Sequence, residues 1–163
     1  MAYIIIGVMG PGSSATPAQI ETAYALGYAI ASSGWVLLTG GRQVGVMEAA
    51  CQGAKAAGGL TVGILPSNDG ADRSAAVDIP IVTGLGDARN AINVLSSEVV
   101  VACGLGPGTA SEIALALKAQ RPVILMEMPP GAIALWQSLA TGPLAIADTV
   151  ATALEQIQQW LAS

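Results

Sequence analysis

The chain has 163 residues, of which 53% are hydrophobic and 10% charged, with a formal net charge of −5, and that length predicts a single domain over residues 1–163. The negative charge argues against a nucleic-acid partner, because domains that bind nucleic acid usually carry a basic face. The absence of histidine and the presence of only two cysteines exclude His-based triads, His-ligated zinc and a disulfide framework, so no protein-ligated metal is expected.

Strand and helix patterns alternate along the chain. Short apolar runs that end at glycine or proline are typical of buried strands, and longer segments with capping residues are typical of helices. In chain order the sequence predicts strand 3–8, helix 17–33, strand 35–39, helix 44–57, strand 60–65, an exposed polar loop 67–77, strand 79–83, a short helix, strand 99–103, helix 109–119, strand 122–127, a Pro/Gly-rich stretch 128–142 with a short helix around Trp136, and a helix at about 149–161.

Capping residues mark several of these helix starts. Thr16 and Gln19 have the spacing of a capping box, with a proline between them at the first helical position. Thr109 and Glu112 have the same spacing ahead of the helix at 109–119. Asp87 is placed to cap the short helix after the fourth strand.

Alternating strands and helices imply right-handed βαβ units. The prediction is therefore an α/β fold, a Rossmann-like three-layer domain with a mostly parallel central sheet. Ligands of such sheets bind beyond the carboxyl ends of the strands, which is where three glycine-rich loops of this chain lie.

Two long uncharged runs, residues 1–20 and 22–41, are each broken by turn-forming residues. A membrane-spanning helix needs about 20 predominantly apolar residues in one segment, so no membrane span is expected. No basic residue precedes the first run, which argues against a signal peptide and predicts a cytoplasmic location. Low charge predicts a homo-oligomer, a dimer or tetramer, formed through helix faces such as residues 20–30.

The first glycine-rich loop spans residues 7–14, directly after the first strand. Gly10, Gly12 and Ser13 are candidate ligand contacts, because glycine permits close approach of the backbone to a ligand. Taken alone this signal is weak, since steric reasons also place glycine after a first strand.

The second loop joins the second strand to its helix and contains Gly40, Gly41, Arg42 and Gly45. Free amides at a helix start, together with the helix dipole, favour an anion. Arg42 either adds a charged fork to this site or is a solvated loop arginine, and the sequence leaves both open.

The third loop is the most specific of the three. A hydrophobic strand runs into Gly106, Pro107, Gly108 and Thr109, and a helix follows. The amides of the two glycines and of Thr109, with its hydroxyl, can converge on one anion. No Gly-Lys-Ser/Thr follows, so this is not a Walker A loop.

Three polar residues flank this loop. Glu112 is interpreted from its spacing as the capping-box partner of Thr109, with a carboxylate that faces a ligand as the alternative. Arg89 and Asn90 lie on the short helix at the same sheet edge. Taken alone, Arg89 is interpreted as a surface residue. It becomes a candidate ligand contact because the chain has so few arginines.

Together these loops resemble a known superfamily, the molybdenum cofactor carrier proteins and the lysine-decarboxylase-like phosphoribohydrolases of cytokinin activation. Two segments carry the resemblance: Gly40-Gly41-x-x-x-Gly45-Val46-Met47, similar to GGGxxGLMG, and Gly106-Pro107-Gly108-Thr109-Ala110-Ser111-Glu112, similar to PGGxGTxxE. The positions at which this chain departs from the hydrolase motifs favour the carrier branch of the superfamily. Arg42 stands where the hydrolases have a third glycine, Asn90 where they have a lysine, and Pro107 where they have a tyrosine.

The carrier resemblance implies a protein that stores, protects or delivers the molybdenum cofactor (Moco), a phosphate-bearing pterin bound as cargo and not as a catalytic group. Molybdoenzymes or cofactor-biosynthesis proteins are the partners it implies. The hydrolase resemblance implies instead cleavage of a nucleoside 5′-monophosphate, with Glu112 and Arg89 as catalytic residues. A nucleotide sensor is a third possibility, and a shared fold does not decide among them.

Overall fold

The computed structural model describes residues 2–163, which form seven strands and six α-helices. The strands are β1 (Ile5–Met9), β2 (Val36–Thr39), β3 (Thr61–Leu65), β4 (Ile79–Val82), β5 (Val99–Cys103), β6 (Val123–Met126) and β7 (Leu144–Ile146). The helices are α1 (Pro17–Ser32), α2 (Gly45–Ala56), α3 (Asn90–Leu95), α4 (Pro107–Lys118), α5 (Pro130–Leu139) and α6 (Val150–Leu161), and a 3-10 turn, Gly86–Arg89, leads into α3.

All seven strands lie in one parallel sheet with the order β4-β3-β2-β1-β5-β6-β7. The chain builds the sheet outward from β1 to β4 and then returns to place β5 beside β1. This reversal is a topological switch point, where α/β folds open a crevice beyond the strand ends. The predicted Rossmann-like α/β fold is confirmed.

Helices cover both faces of the sheet. On one face α1, α2 and α6 bury residues such as Leu26, Ala50 and Ile157. On the other face α3, α4 and α5 bury residues such as Ile113 and Trp136. Because both faces are covered, the two strands at the centre of the sheet, β1 and β5, are apolar throughout, and every residue of β5 is buried.

Three local predictions require correction. The predicted capping box formed by Thr109 and Glu112 is wrong. Helix α4 begins earlier, with Gly106 as its N-cap and a proline at its first position. Asp87 caps nothing, since it lies inside the 3-10 turn. The loop 67–77 is not simply exposed: Ser74 is fully buried, and its amide donates to the carbonyl of Gly41. The capping box at α1 is present as predicted.

The sequence also missed β7, a three-residue strand at the edge of the sheet. Three residues are too few to produce a strand pattern, and the strand forms because β6 is available to pair with it. Among residues 2–163, no helix is both long enough and apolar enough to cross a membrane.

Close contact between α1 and α2 depends on two glycines. A Cβ built on Gly27 would lie 1.9 Å from the carbonyl oxygen of Ala50, and one on Gly53 would lie 2.0 Å from that of Tyr24. Neither backbone can move aside without shifting a whole helix, so the two helices pack at this distance only with glycine at both positions.

We expect Gly27→Ala to lower the free energy of unfolding by about 2 kcal/mol, because overpacking outweighs the gain of about 1 kcal/mol in helix propensity. Gly131→Ala in α5 is the matched control, since a Cβ there meets nothing within 4 Å. Urea unfolding measures both variants. A Gly27→Ala protein as stable as the wild type would show that the helices separate freely.

Candidate functional site

A cavity of about 180 Å³ opens at the carboxyl ends of the central strands, beside the switch point. It collects eleven of the residues that the sequence singled out: Gly10, Gly12, Gly40, Arg42, Arg89, Asn90, Gly106, Pro107, Gly108, Thr109 and Glu112. Residues from the three glycine-rich loops and from the turn before α3 therefore lie around one space.

Three other candidates do not line this cavity. Ser13 lies outside it, and Gly41 and Gly45 shape the loops instead. Gly45 has φ +56°, and a Cβ there would lie 2.1 Å from the carbonyl oxygen of Gly12, so it lets the first and second loops touch. Met9 and Asp87 line the cavity although the sequence did not mark them as contacts. The sequence offered two signals that could have marked them as contacts: Met9 directly follows a predicted strand, and Asp87 lies close to Arg89 in the chain.

The first turn of α4 presents free hydrogen-bond donors to the cavity. Pro107 has no N–H, and the amide of Ala110 donates to the carbonyl of Gly106. The amides of Gly108 and Thr109 belong to the turn whose N–H groups have no partner within the helix. Thr109 Oγ1 is buried and makes no hydrogen bond. Amides, a hydroxyl and a helix dipole in this arrangement favour an anion.

The second loop contributes less than its glycines suggested. The amides of Gly41, Gln43, Val44 and Val46 donate, respectively, to Thr39 Oγ1 and to the carbonyl oxygens of Asp72, Arg42 and Pro11. The sequence predicted free amides at this helix start, and for these four that prediction is wrong. The loop 67–77 and the first loop supply acceptors that no local pattern could reveal.

Arg89 is buried at the cavity wall, with only 8% of its surface exposed, which corrects the surface interpretation. Its Nε donates to the carbonyl of Ile64 at 2.9 Å, and Nη1 donates to Asn90 Oδ1. Its Nη2 lies beside Gly40, where a Cβ would approach it to 2.7 Å. Burial lowers the pKa of Arg89, while the Coulombic effect of Glu112 raises it.

Asn90 links this arginine to the first turn of α4. Its Nδ2 donates to Ser111 Oγ at 2.9 Å, and Ser111 Oγ donates to the carbonyl of Gly108 at 2.6 Å. The chain of hydrogen bonds fixes the guanidinium relative to the first turn of α4. An amide at position 90 can accept from one group and donate to the next, which a lysine cannot do.

Glu112 is not a cap. It is 6% exposed, and its Oε1 accepts a 2.8 Å hydrogen bond from Asn93 Nδ2 of α3. Burial raises the pKa of Glu112 to about 7, against the lowering effects of the Asn93 hydrogen bond and of Arg89. The carboxyl group therefore exchanges its proton near neutral pH, where it can either donate to a ligand or repel an anion.

Arg42 lies at the rim of the cavity. Its Nε is 2.8 Å from Asp72 Oδ2, and its side chain is 47% exposed. Asp72 in turn accepts from Ser67 Oγ at 3.1 Å. The loop 67–77 thus holds an otherwise solvated arginine beside the mouth of the site. In the part of the chain that the structure describes, no group of three or more cysteine, aspartate and glutamate side chains could hold a metal ion.

Comparison with protein families gives one match that spans most of the chain. The model of the SLOG cluster4 family matches residues 3–155. Among enzymes, the cytokinin riboside 5′-monophosphate phosphoribohydrolase of Mycobacterium tuberculosis is 37% identical over 106 residues, 62% of this chain and 56% of that protein.

Solved structures give matches over the full length. The molybdenum cofactor binding protein of the phototrophic bacterium Rippkaea orientalis is 57% identical, with a TM-score of 0.96 over 99% of both chains. The molybdenum cofactor carrier protein of Chlamydomonas reinhardtii is 53% identical, with a TM-score of 0.94 over 99% of this chain and 100% of that one.

Proposed function

The chain belongs to the SLOG cluster4 family, and from that premise we propose that it is a molybdenum cofactor carrier that binds the phosphate of its cargo at the start of α4. The full-length likeness to two proteins named for this cofactor supports the choice of cargo. The observation that carries the phosphate site is Thr109 Oγ1, a buried hydroxyl without a partner at a helix N-terminus that faces a cavity.

The charges around the cavity suit a phosphate monoester. The amides of Gly108 and Thr109 supply donors without a net charge. Arg89 in the wall and Arg42 at the rim supply positive charges that offset the carboxyl groups of Asp87 and Glu112 in the same lining. With a net charge of −5, the protein cannot attract the anion by its overall field. The local donors therefore provide the binding energy.

A carrier needs tight, shielding contacts and no chemical step. The hydrogen bonds that join Arg89, Asn90 and Ser111 hold the guanidinium of Arg89 in place at the cavity wall, which lowers the entropic cost of binding. Delivery to molybdoenzymes or cofactor-biosynthesis proteins, a cytoplasmic location and a homo-oligomeric state complete the proposal. Exposed Ile20, Tyr24 and Tyr28 on α1 support the oligomer, because they form an apolar stripe at helical spacing.

Arg42→Ala tests whether the rim arginine contributes. We expect Moco released from a molybdoenzyme to bind this variant three- to tenfold more weakly, an effect of about 1 kcal/mol, since Arg42 is partly solvated and screened. Binding is measured as retained pterin, oxidised to its fluorescent form, together with retained molybdenum. Arg121→Ala is the control, because Arg121 donates to the carbonyl of Leu95, away from the cavity. Equal losses in the two variants would contradict a specific role for Arg42.

A second candidate is the phosphoribohydrolase activity, which one observation favours. A buried carboxyl group with a pKa near 7, that of Glu112, lines the same cavity as the proposed phosphate donors, and such a group can act in glycosidic cleavage. The partial likeness to the mycobacterial enzyme agrees with this candidate. Asn90 argues against the hydrolase activity. It stands where the hydrolases have a lysine, and its amide joins Arg89 to Ser111.

A further inference from the structure

A second and larger cavity, of about 440 Å³, lies at the carboxyl ends of β6 and β7. The loop after β5 separates the two cavities, since Leu105 lines the larger one and Gly106 lines the smaller one. Both open at the same edge of the sheet, because parallel strands all end there. A ligand of pterin size bound at α4 could therefore extend across this loop into the larger cavity.

The two cavities differ in charge. The smaller one is lined by the cations Arg42 and Arg89 as well as by Asp87 and Glu112, whereas in residues 2–163 the only charged side chains that line the larger one are Glu127 and Asp148. Within the described residues, no lysine or arginine lines the larger cavity. An anion is therefore disfavoured there, and a group that donates hydrogen bonds is favoured.

The larger cavity has a mixed lining, in which apolar side chains stand beside the polar groups of Gln19, Glu127 and Asp148. Leu105, Leu125, Met128, Ile133 and Ile146 contribute to its lining. Apolar side chains combined with a small number of convergent polar groups are typical of sites for small heterocycles. Its volume also falls within the range of about 300–1,000 Å³ usual for ligand cavities.

Glu127 is held in place at this cavity. Its Oε1 accepts a 2.8 Å hydrogen bond from Thr22 Oγ1 of α1, which leaves the other carboxylate oxygen free of that contact. Its backbone has φ +51°, in the left-handed region that residues other than glycine rarely adopt. This strained backbone lies at the end of β6, where the carboxylate of Glu127 supplies a hydrogen-bond acceptor to the cavity.

From these features we propose that the larger cavity binds the flat ring of the cargo, with adjacent ring N–H groups donating to Glu127 and Asp148. The chemistry required is that of an uncharged heterocycle with an aminopyrimidinone edge, which a pterin provides. This inference rests on the proposed function and deepens it, because it divides the ligand between an anion site and a ring site.

The test uses 6-hydroxymethylpterin, a pterin without phosphate, titrated against the full-length protein and followed by pterin fluorescence. We expect Glu127→Gln and Asp148→Asn each to weaken its binding about tenfold, since each removes a charged acceptor. Glu98→Gln, an exposed carboxylate beside the amino end of β5, is the matched control and should bind as the wild type does.

The ring site and the phosphate site can fail separately. Gly108→Val should leave the affinity for 6-hydroxymethylpterin unchanged while it removes binding of inorganic phosphate. If the pterin binds Glu127→Gln and Asp148→Asn as tightly as the wild type, or does not bind the wild type at millimolar concentration, the ring site is wrong. Loss of pterin binding in Gly108→Val alone would place the ring in the smaller cavity and would also overturn this proposal.

Discussion

Glu112→Gln should make the protein more stable at pH 8, by about 3 kcal/mol. Burial raises the pKa of Glu112 to about 7 from an ordinary value of 4.5. Between these two values the unfolded chain releases the proton while the folded chain keeps it, so wild-type stability falls as pH rises from 4.5 to 7. Glutamine is neutral throughout and can still accept the hydrogen bond from Asn93.

The difference between variant and wild type should therefore be largest above pH 7 and close to zero at pH 4. Urea unfolding at pH 4, 6 and 8 measures it, with the exposed Glu155→Gln as control. A stability difference that does not change with pH would show that the carboxyl group of Glu112 keeps its ordinary pKa. The same ionisation should weaken phosphate binding above pH 7 in the wild type and leave the glutamine variant unaffected.

Gly108→Val should abolish the anion site without harming the fold. A Cβ at Gly108 meets nothing within 4 Å, so the helix tolerates a side chain. The valine methyl groups stand beside the amides that an anion must reach. Loss of two charge-assisted hydrogen bonds amounts to about 3 kcal/mol, which lowers the affinity for inorganic phosphate about 100-fold.

The chain provides a close control for this variant. Gly131 also follows a proline in the first turn of a helix, α5, and a Cβ there likewise meets nothing within 4 Å. Gly131→Val should bind phosphate as the wild type does in calorimetric titration. A folded Gly108→Val protein with unchanged phosphate affinity would show that the anion does not bind at α4.

The features that sequence predicted well are those that neighbouring residues decide. The capping box of Thr16 and Gln19 depends on four consecutive residues, and it forms as expected. The apolar run of β5 ends in a glycine loop, as predicted, whereas its place beside β1 at the switch point is known only from the structure. For the same reason the strand, glycine turn and helix of the third loop could be recognised as the most specific of the three loops.

The features that sequence missed depend on contacts between distant segments. Glu112 has the spacing of a cap, but Pro107 starts the helix two residues earlier and Asn93 takes the carboxylate. Arg89 fits a surface residue until the carbonyl of Ile64 gives it a buried partner. Two amides of the second loop, those of Gln43 and Val46, look free until the carbonyl oxygens of Asp72 and Pro11 in other loops accept from them.

The central claim is tested most directly by the ligand that copurifies with the native protein. Mass spectrometry and molybdenum analysis should find a phosphorylated pterin with its metal, and the protein should release no free base from AMP. A bound purine nucleotide without molybdenum, with base release that Glu112→Gln lowers by several orders of magnitude, would contradict the carrier function and establish the hydrolase in its place.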